Sequence, residues 1–191
     1  MAWLEPLLVS TGVVALSEIG DKTQLLAFML AARFRRPLPV IGGILAATIV
    51  NHLLASLLGV AVSTWITPEI LRWVLAVGFA AMAVWVLIPD KADDAAARER
   101  PGMGPFLTTT VLFFLLEMGD KTQIATVALS AKYHSVLVVT CGTTLGMLLA
   151  DVPAVFIGDR LAHRIPLRTV HIVAALIFAT LAVLAAFRVG F

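Results

Sequence analysis

Residues 38–62 hold no aspartate, glutamate, lysine or arginine. About 20 apolar residues suffice for a helix to cross a hydrocarbon core roughly 30 Å thick, so this run predicts a membrane-spanning helix. Applied along the whole chain, the same criterion gives six spans, at about 4–32, 38–62, 69–88, 105–131, 135–158 and 167–187. Composition agrees: the 191 residues are 60% hydrophobic and 14% charged, whereas an average globular domain is about a quarter charged. The expected fold class is therefore an all-α integral membrane protein.

The basic residues mark span ends rather than a soluble face, so the pI near 9.0 is no sign of nucleic acid. Arg33, Arg35 and Arg36 follow the first span, Lys91, Arg98 and Arg100 the third, and Arg160, Arg164 and Arg168 the fifth; the other side has Arg72, Lys132 and Arg188. Cytoplasmic loops carry the excess of Lys and Arg, which predicts that both termini face away from the cytoplasm. Trp3, Trp65, Trp73 and Trp85 fall near span ends, where interfacial tryptophans collect. No basic n-region precedes the first apolar stretch, so it is expected to be a retained span rather than a signal peptide. The single cysteine, Cys141, offers neither a disulfide nor a thiolate metal site.

Two spans carry the same cluster of charges. Ser17 to Gln24 reads SEIGDKTQ and Leu116 to Gln123 reads LEMGDKTQ. An offset of 99 lays Glu117, Gly119, Asp120, Lys121, Thr122 and Gln123 on Glu18, Gly20, Asp21, Lys22, Thr23 and Gln24, and also matches Gly43 with Gly142, Gly59 with Gly158 and Phe79 with Phe178. The chain is thus a tandem duplication: a first three-helix repeat at 1–88, a cytoplasmic linker at 89–104 and a second repeat at 105–191. An odd number of spans per copy makes the halves opposite in orientation, that is, an inverted repeat, the design in which transporter sites lie near the membrane midplane.

A charge at the centre of a span costs about 2.5 to 3.5 kcal/mol on insertion scales, so six need partners. On one continuous helix Glu18, Asp21, Lys22 and Leu25 would share a face, and Glu117, Asp120 and Lys121 repeat it. Lys22 and Lys121 are charge-balancing candidates. Four carboxylates against two ammonium groups leave two negative charges, which one divalent cation cancels. The alternative is a structural clamp in which the lysines simply neutralise the acids. The candidate metal ligands are Glu18, Asp21, Glu117 and Asp120, with amide oxygens of Gln24 and Gln123 and hydroxyls of Thr23 and Thr122. Oxygen donors suit Ca²⁺, Mg²⁺ or Mn²⁺, whereas zinc and copper prefer thiolates or imidazoles.

Carboxylates that release a cation can take up protons, which is the simplest antiport chemistry. His52 falls on Asp151 under the same offset; the pair is either a polar contact or a proton or accessory site. Gly20 and Gly119 are either close-packing contacts or points where the helix breaks and exposes carbonyls to an ion. Pro153 is placed to bend the fifth span.

With both motifs in view, the chain resembles the Gdt family of divalent cation/proton exchangers, which carries E-x-G-D-[KR]-[TS] twice. The matches are EIGDKT at Glu18–Thr23 and EMGDKT at Glu117–Thr122. The resemblance implies export of Mn²⁺, or exchange of Ca²⁺ or Mn²⁺ for protons, with Glu18, Asp21, Glu117 and Asp120 binding the cation. With its short loops, the chain looks most like the small members that export manganese from bacteria, which implies the bacterial inner membrane. No resident cofactor, enzymatic activity or nucleic-acid partner is expected; the partners are the cation, protons and the lipid bilayer. One chain holds both halves, so the expected state is a monomer or homodimer. The alternatives are a Ca²⁺/H⁺ antiporter of the same architecture, a divalent cation channel, and a metal-dependent hydrolase, for which no nucleophile with an adjacent base is present.

Overall fold

The computed structural model describes residues 3–88, 103–157 and 167–187. Regular structure among them is entirely helical: α1 (Leu4–Glu18), α2 (Lys22–Phe34), α3 (Pro37–Trp65), α4 (Pro68–Trp85), α5 (Pro105–Glu117), α6 (Lys121–Tyr133), α7 (Val136–Ile157) and α8 (Leu167–Ala186). Four of these, α3, α4, α7 and α8, are long and apolar enough to cross a membrane. Pro37, Pro68 and Pro105 open three of the helices, where a missing N–H costs nothing and φ is already helical. The linker stretch 89–102 lies outside the described residues, as do Lys91, Arg98, Arg100, Arg160, Arg164 and Arg188.

The continuous helices expected over 4–32 and 105–131 are corrected: each is two helices separated by a short break. Gly20 and Gly119 adopt φ of 85° and 80°, in the left-handed region that glycine enters at no steric cost. Ile19 and Met118 before them have extended ψ of 114° and 113°. A single turn closes each break, with Asp21 N–H donating to Glu18 O at 2.9 Å and Asp120 N–H to Glu117 O at 3.2 Å. The shared helical face assumed for Glu18, Asp21 and Lys22 therefore does not exist. Glu18 ends α1, Asp21 is the N-cap of α2, and Glu117 and Asp120 stand likewise at α5 and α6.

The halves pack through equivalent residues. A Cβ on Gly43 would lie 2.7 Å from Phe106 O and 2.6 Å from Thr109 Cβ, and one on Gly142 would lie 2.8 Å from both Leu7 O and Ser10 Cβ. Leu7 and Ser10 are the offset equivalents of Phe106 and Thr109, so the matched glycines let α3 approach α5 as α7 approaches α1. Small residues that bring backbones together are a standard device between membrane helices. Phe79 on α4 meets its own equivalent, Phe178 on α8, with ring centroids 6.4 Å apart. One apolar cluster joins α4, α8 and α6 around these rings, and another joins α2, α3, α5 and α7 around Ile44, Phe113 and Met147.

The helix pair α4–α8 breaks this correspondence. Among the described residues, α8 packs on α1 and α4 on α6, whereas the equivalent pairs α4–α5 and α8–α2 barely touch.

Candidate functional site

The two breaks bring four helix ends into one region. Helix N-termini carry partial positive charge and C-termini partial negative charge, so Asp21 and Asp120 at the starts of α2 and α6 sit where carboxylates are favoured. Glu18 and Glu117 sit at the C-terminal ends of α1 and α5, where unpaired carbonyls favour a cation instead. All four acids are buried.

The lysines cross between the motif copies. Lys22 Nζ lies 3.0 Å from Asp120 Oδ1, and Lys121 Nζ lies 2.8 Å from Asp21 Oδ1. Each ammonium is thereby committed to an aspartate of the other copy, and the two surplus negative charges fall to the glutamates. Thr23 donates to Glu18 Oε2 at 2.6 Å, and Thr122 to Glu117 Oε2 at 2.7 Å. The remaining oxygens, Glu18 Oε1, Glu117 Oε1 and Asp120 Oδ2, are buried and have no hydrogen-bond partner. Glu18, Glu117 and Asp120 each offer a carboxylate oxygen, all within 4.8 Å of one another. Oxygen ligands at about 2.3 to 2.6 Å from a Ca²⁺-sized ion lie up to roughly 5 Å apart across it, so these three can share one cation.

The other expected ligands have different placements. The amide oxygens of Gln24 and Gln123 accept the N–H of Gly20 at 3.0 Å and of Gly119 at 2.6 Å, filling the donors that the break leaves open. Their amide nitrogens tie the breaks to the opposite half, Gln24 to Ala150 O at 2.9 Å and Gln123 to Asn51 Oδ1 at 3.4 Å. Thr23 and Thr122 orient the glutamates through their hydroxyls. Asp151 on α7 is buried, with both carboxylate oxygens unpartnered, and lies within charge–charge range of Asp21, Glu18 and Glu117. His52 on α3 is also buried, with neither ring nitrogen hydrogen-bonded.

Asn51 escaped sequence reasoning. It donates to Phe114 O at 3.1 Å while accepting from Gln123. Its signal was present, as a second polar residue beside His52 in a run without charges, but its offset equivalent is Ala150, which hid it from a search for matched pairs. His171 was also passed over; its Nε2 lies 2.9 Å from Ile19 O.

Helices apolar enough to span a bilayer, packed around buried carboxylates, define a polytopic membrane protein with a polar centre. The sequence matches the family described as Divalent cation/proton antiporter GDT1 over residues 6–94 and 105–189, and the chain belongs to that family. It is 50% identical to a Vibrio cholerae serotype O1 protein named "Putative manganese exporter" over 95% of this chain and 90% of that one. A GDT1-like protein of Synechocystis is 31% identical over 90% of this chain and 91% of its own length. GDT1-like protein 4 of Oryza sativa subsp. indica is 30% identical over 88% and 68%. No solved structure matches.

Proposed function

We propose that this chain exports Mn²⁺ in exchange for protons, through a site formed by Glu18, Glu117 and Asp120. The carrying observation is that these three acids are buried, held within 4.8 Å of one another, and each retains an oxygen without a partner. An all-carboxylate set with no thiolate or imidazole suits a hard divalent ion, and the name of the Vibrio cholerae relative supports manganese among them.

In this scheme Asp21 acts through its pair with Lys121, and Asp120 both pairs with Lys22 and offers its second oxygen to the ion. Thr23 and Thr122 hold one oxygen of each glutamate, leaving the other for the cation. When the ion leaves, the glutamates take protons, so the buried charge stays balanced on both legs of the cycle. Replacing one divalent cation by two protons preserves the charge of the cluster, which predicts two protons per Mn²⁺. Asp151 and His52 serve as accessory proton sites.

The proposed frame is six spans arranged as two inverted three-helix repeats, 1–88 and 105–191, with 89–104 as a cytoplasmic linker. Support comes from the mutual packing of equivalent residues at Gly43 and Gly142 and at Phe79 and Phe178. Spans one and four are the broken pairs α1–α2 and α5–α6. The excess of basic residues after spans one, three and five supports both termini facing away from the cytoplasm, and a bacterial inner membrane is the proposed location. Each chain carries a complete site, so a monomer suffices.

The test is purified protein in liposomes with a pH-sensitive dye, challenged with Mn²⁺ and then with Ca²⁺ and Mg²⁺ in competition. Mn²⁺ entry should drive a proton signal of opposite direction, and Glu18→Gln or Glu117→Gln should abolish both fluxes in a folded protein. Mn²⁺ movement without proton movement, or unchanged flux in either variant, would overturn the proposal.

A further inference from the structure

The two breaks are alike in sequence and backbone but not in surroundings. Met118 is 54% exposed and Gly119 is exposed, whereas Ile19 and Gly20 are half-buried. Helix α8 makes the difference, because it lies on α1 and its His171 Nε2 reaches Ile19 O at 2.9 Å. A carbonyl can only accept, so Nε2 carries the proton in this contact.

The offset of 99 places Arg72 of α4 at the position of His171. Arg72 does not reach Met118. It donates instead to Ala186 O at 2.8 Å and pairs with Glu69, with its guanidinium 4.7 Å from the centre of the Trp73 ring. Thus α4 and α8, joined by the Phe79–Phe178 contact, lie against α1 and α6, with α8 on the helix that ends at the first break, and away from α5 and α2.

We propose that His171 is a positioning residue that latches the first break shut, so that the α4–α8 pair closes the cation site on the Ile19 side while the Met118 side stays open. This rests on the inverted-repeat transporter reading, in which equivalent halves exchange roles between two states. The exchanged state has the α4–α8 pair leaning on α2 and α5, the Ile19 carbonyl released and the second break covered. Two arrangements of one packed pair are what a switch between states requires, and a contact present in only one of them biases the balance.

The test uses full-length protein in lipid nanodiscs, with the exposed Cys141 replaced by Ser and one cysteine introduced by Ile19→Cys or Met118→Cys. Maleimide labelling should be slow at the first position and fast at the second. Losing one hydrogen bond from a two-state balance shifts it by roughly fivefold. His171→Ala should therefore raise the labelling rate of Ile19→Cys by about that factor and lower that of Met118→Cys. His171→Gln, which keeps a donor on a side chain of similar reach, should restore the original pattern. Rates that move in the same direction at both positions, or that are alike for His171→Ala and His171→Gln, would overturn the latch. Labelling reads conformation without transport, so absence of Mn²⁺ flux from otherwise unsubstituted protein defeats the proposed function and leaves the labelling result to stand by itself.

Discussion

Lys121 donates to Asp21 at 2.8 Å, a buried ion pair between the two copies of one motif. Removing one member of a buried pair strands the other charge, at a cost of about 3 to 5 kcal/mol, whereas removing both can be neutral. Lys121→Met should therefore lower the thermal stability of the detergent-solubilised protein sharply, and Asp21→Asn added to it should recover much of the loss. Lys22→Met should cost less, because its side chain is 25% exposed and water can stand in for the missing ammonium at Asp120. Equal losses for the two lysines would contradict this ordering.

The glutamates are oriented by hydroxyls, Thr23 on Glu18 at 2.6 Å and Thr122 on Glu117 at 2.7 Å. Losing a partner that orients a metal ligand typically costs about 10- to 100-fold in affinity. Thr23→Val and Thr122→Val keep the side-chain shape and remove only the donor. Each is expected to raise the Mn²⁺ concentration for half-maximal flux by about tenfold with a smaller change in maximal rate. Serine at either position should restore the affinity, since the hydroxyl returns.

The apolar spans were legible in the sequence because nothing interrupts them. The run predicted at 38–62 is α3, Pro37–Trp65, and the one predicted at 167–187 is α8, Leu167–Ala186. The breaks were not, because a glycine in an apolar run reads equally as a packing contact, and both kinds occur: Gly43 packs against α5 while Gly20 turns the chain at φ 85°. The spacing puts Lys22 and Lys121 on one helical face with the acids of their own motif and marks them as charge-balancing, but it assigns neither a partner. Once Gly20 and Gly119 end that helix, the nearest carboxylates belong to the other copy. The duplication itself announced the acids, but only three-dimensional pairing assigns the aspartates to the lysines and leaves the glutamates uncompensated.

Gln24 separates two roles that sequence alone could not. A ligand oxygen at this position would survive Gln24→Glu and bind a cation more strongly. The geometry instead has its amide nitrogen donating to Ala150 O at 2.9 Å, and a carboxylate there meets a carbonyl with no proton between them. Leaving a buried acceptor unsatisfied costs about 1 to 3 kcal/mol. Gln24→Glu and Gln123→Glu should both lower the melting temperature and weaken Mn²⁺ transport, measured on the same preparations. Tighter Mn²⁺ binding in either variant would restore the ligand role.

The glycines at the breaks should respond to conformation rather than to volume. Nothing lies within 4 Å of a Cβ built on Gly119, yet its φ is +80°. For other residues the left-handed region costs roughly 1 to 2 kcal/mol, and asparagine enters it more readily than alanine. Gly119→Ala should therefore destabilise the protein and slow flux, with Gly119→Asn falling between it and the unsubstituted protein. If alanine were as good as asparagine, the left-handed turn would not be what this glycine supplies.

The packing glycines obey the opposite rule. A Cβ at Gly43 or Gly142 would sit 2.6 to 2.8 Å from atoms of α5 or α1, and all four contacts are to a backbone oxygen or a Cβ on the facing helix that cannot swing aside. Gly78 on α4 has nothing within 4 Å of the same construction, and its alanine variant gains helix propensity of about 1 kcal/mol. Overpacking costs about 1 to 3 kcal/mol, so Gly43→Ala and Gly142→Ala should lower the melting temperature by similar amounts while Gly78→Ala leaves it unchanged or raised. The two costly substitutions also push α3 from α5 and α7 from α1, the helices that end at Glu117 and Glu18. Their Mn²⁺ affinity should fall together with stability, whereas Gly78→Ala should leave affinity alone. Affinity unmoved in both packing variants would mean that the glutamates are held by the breaks and their threonines rather than by the helix contacts beneath them.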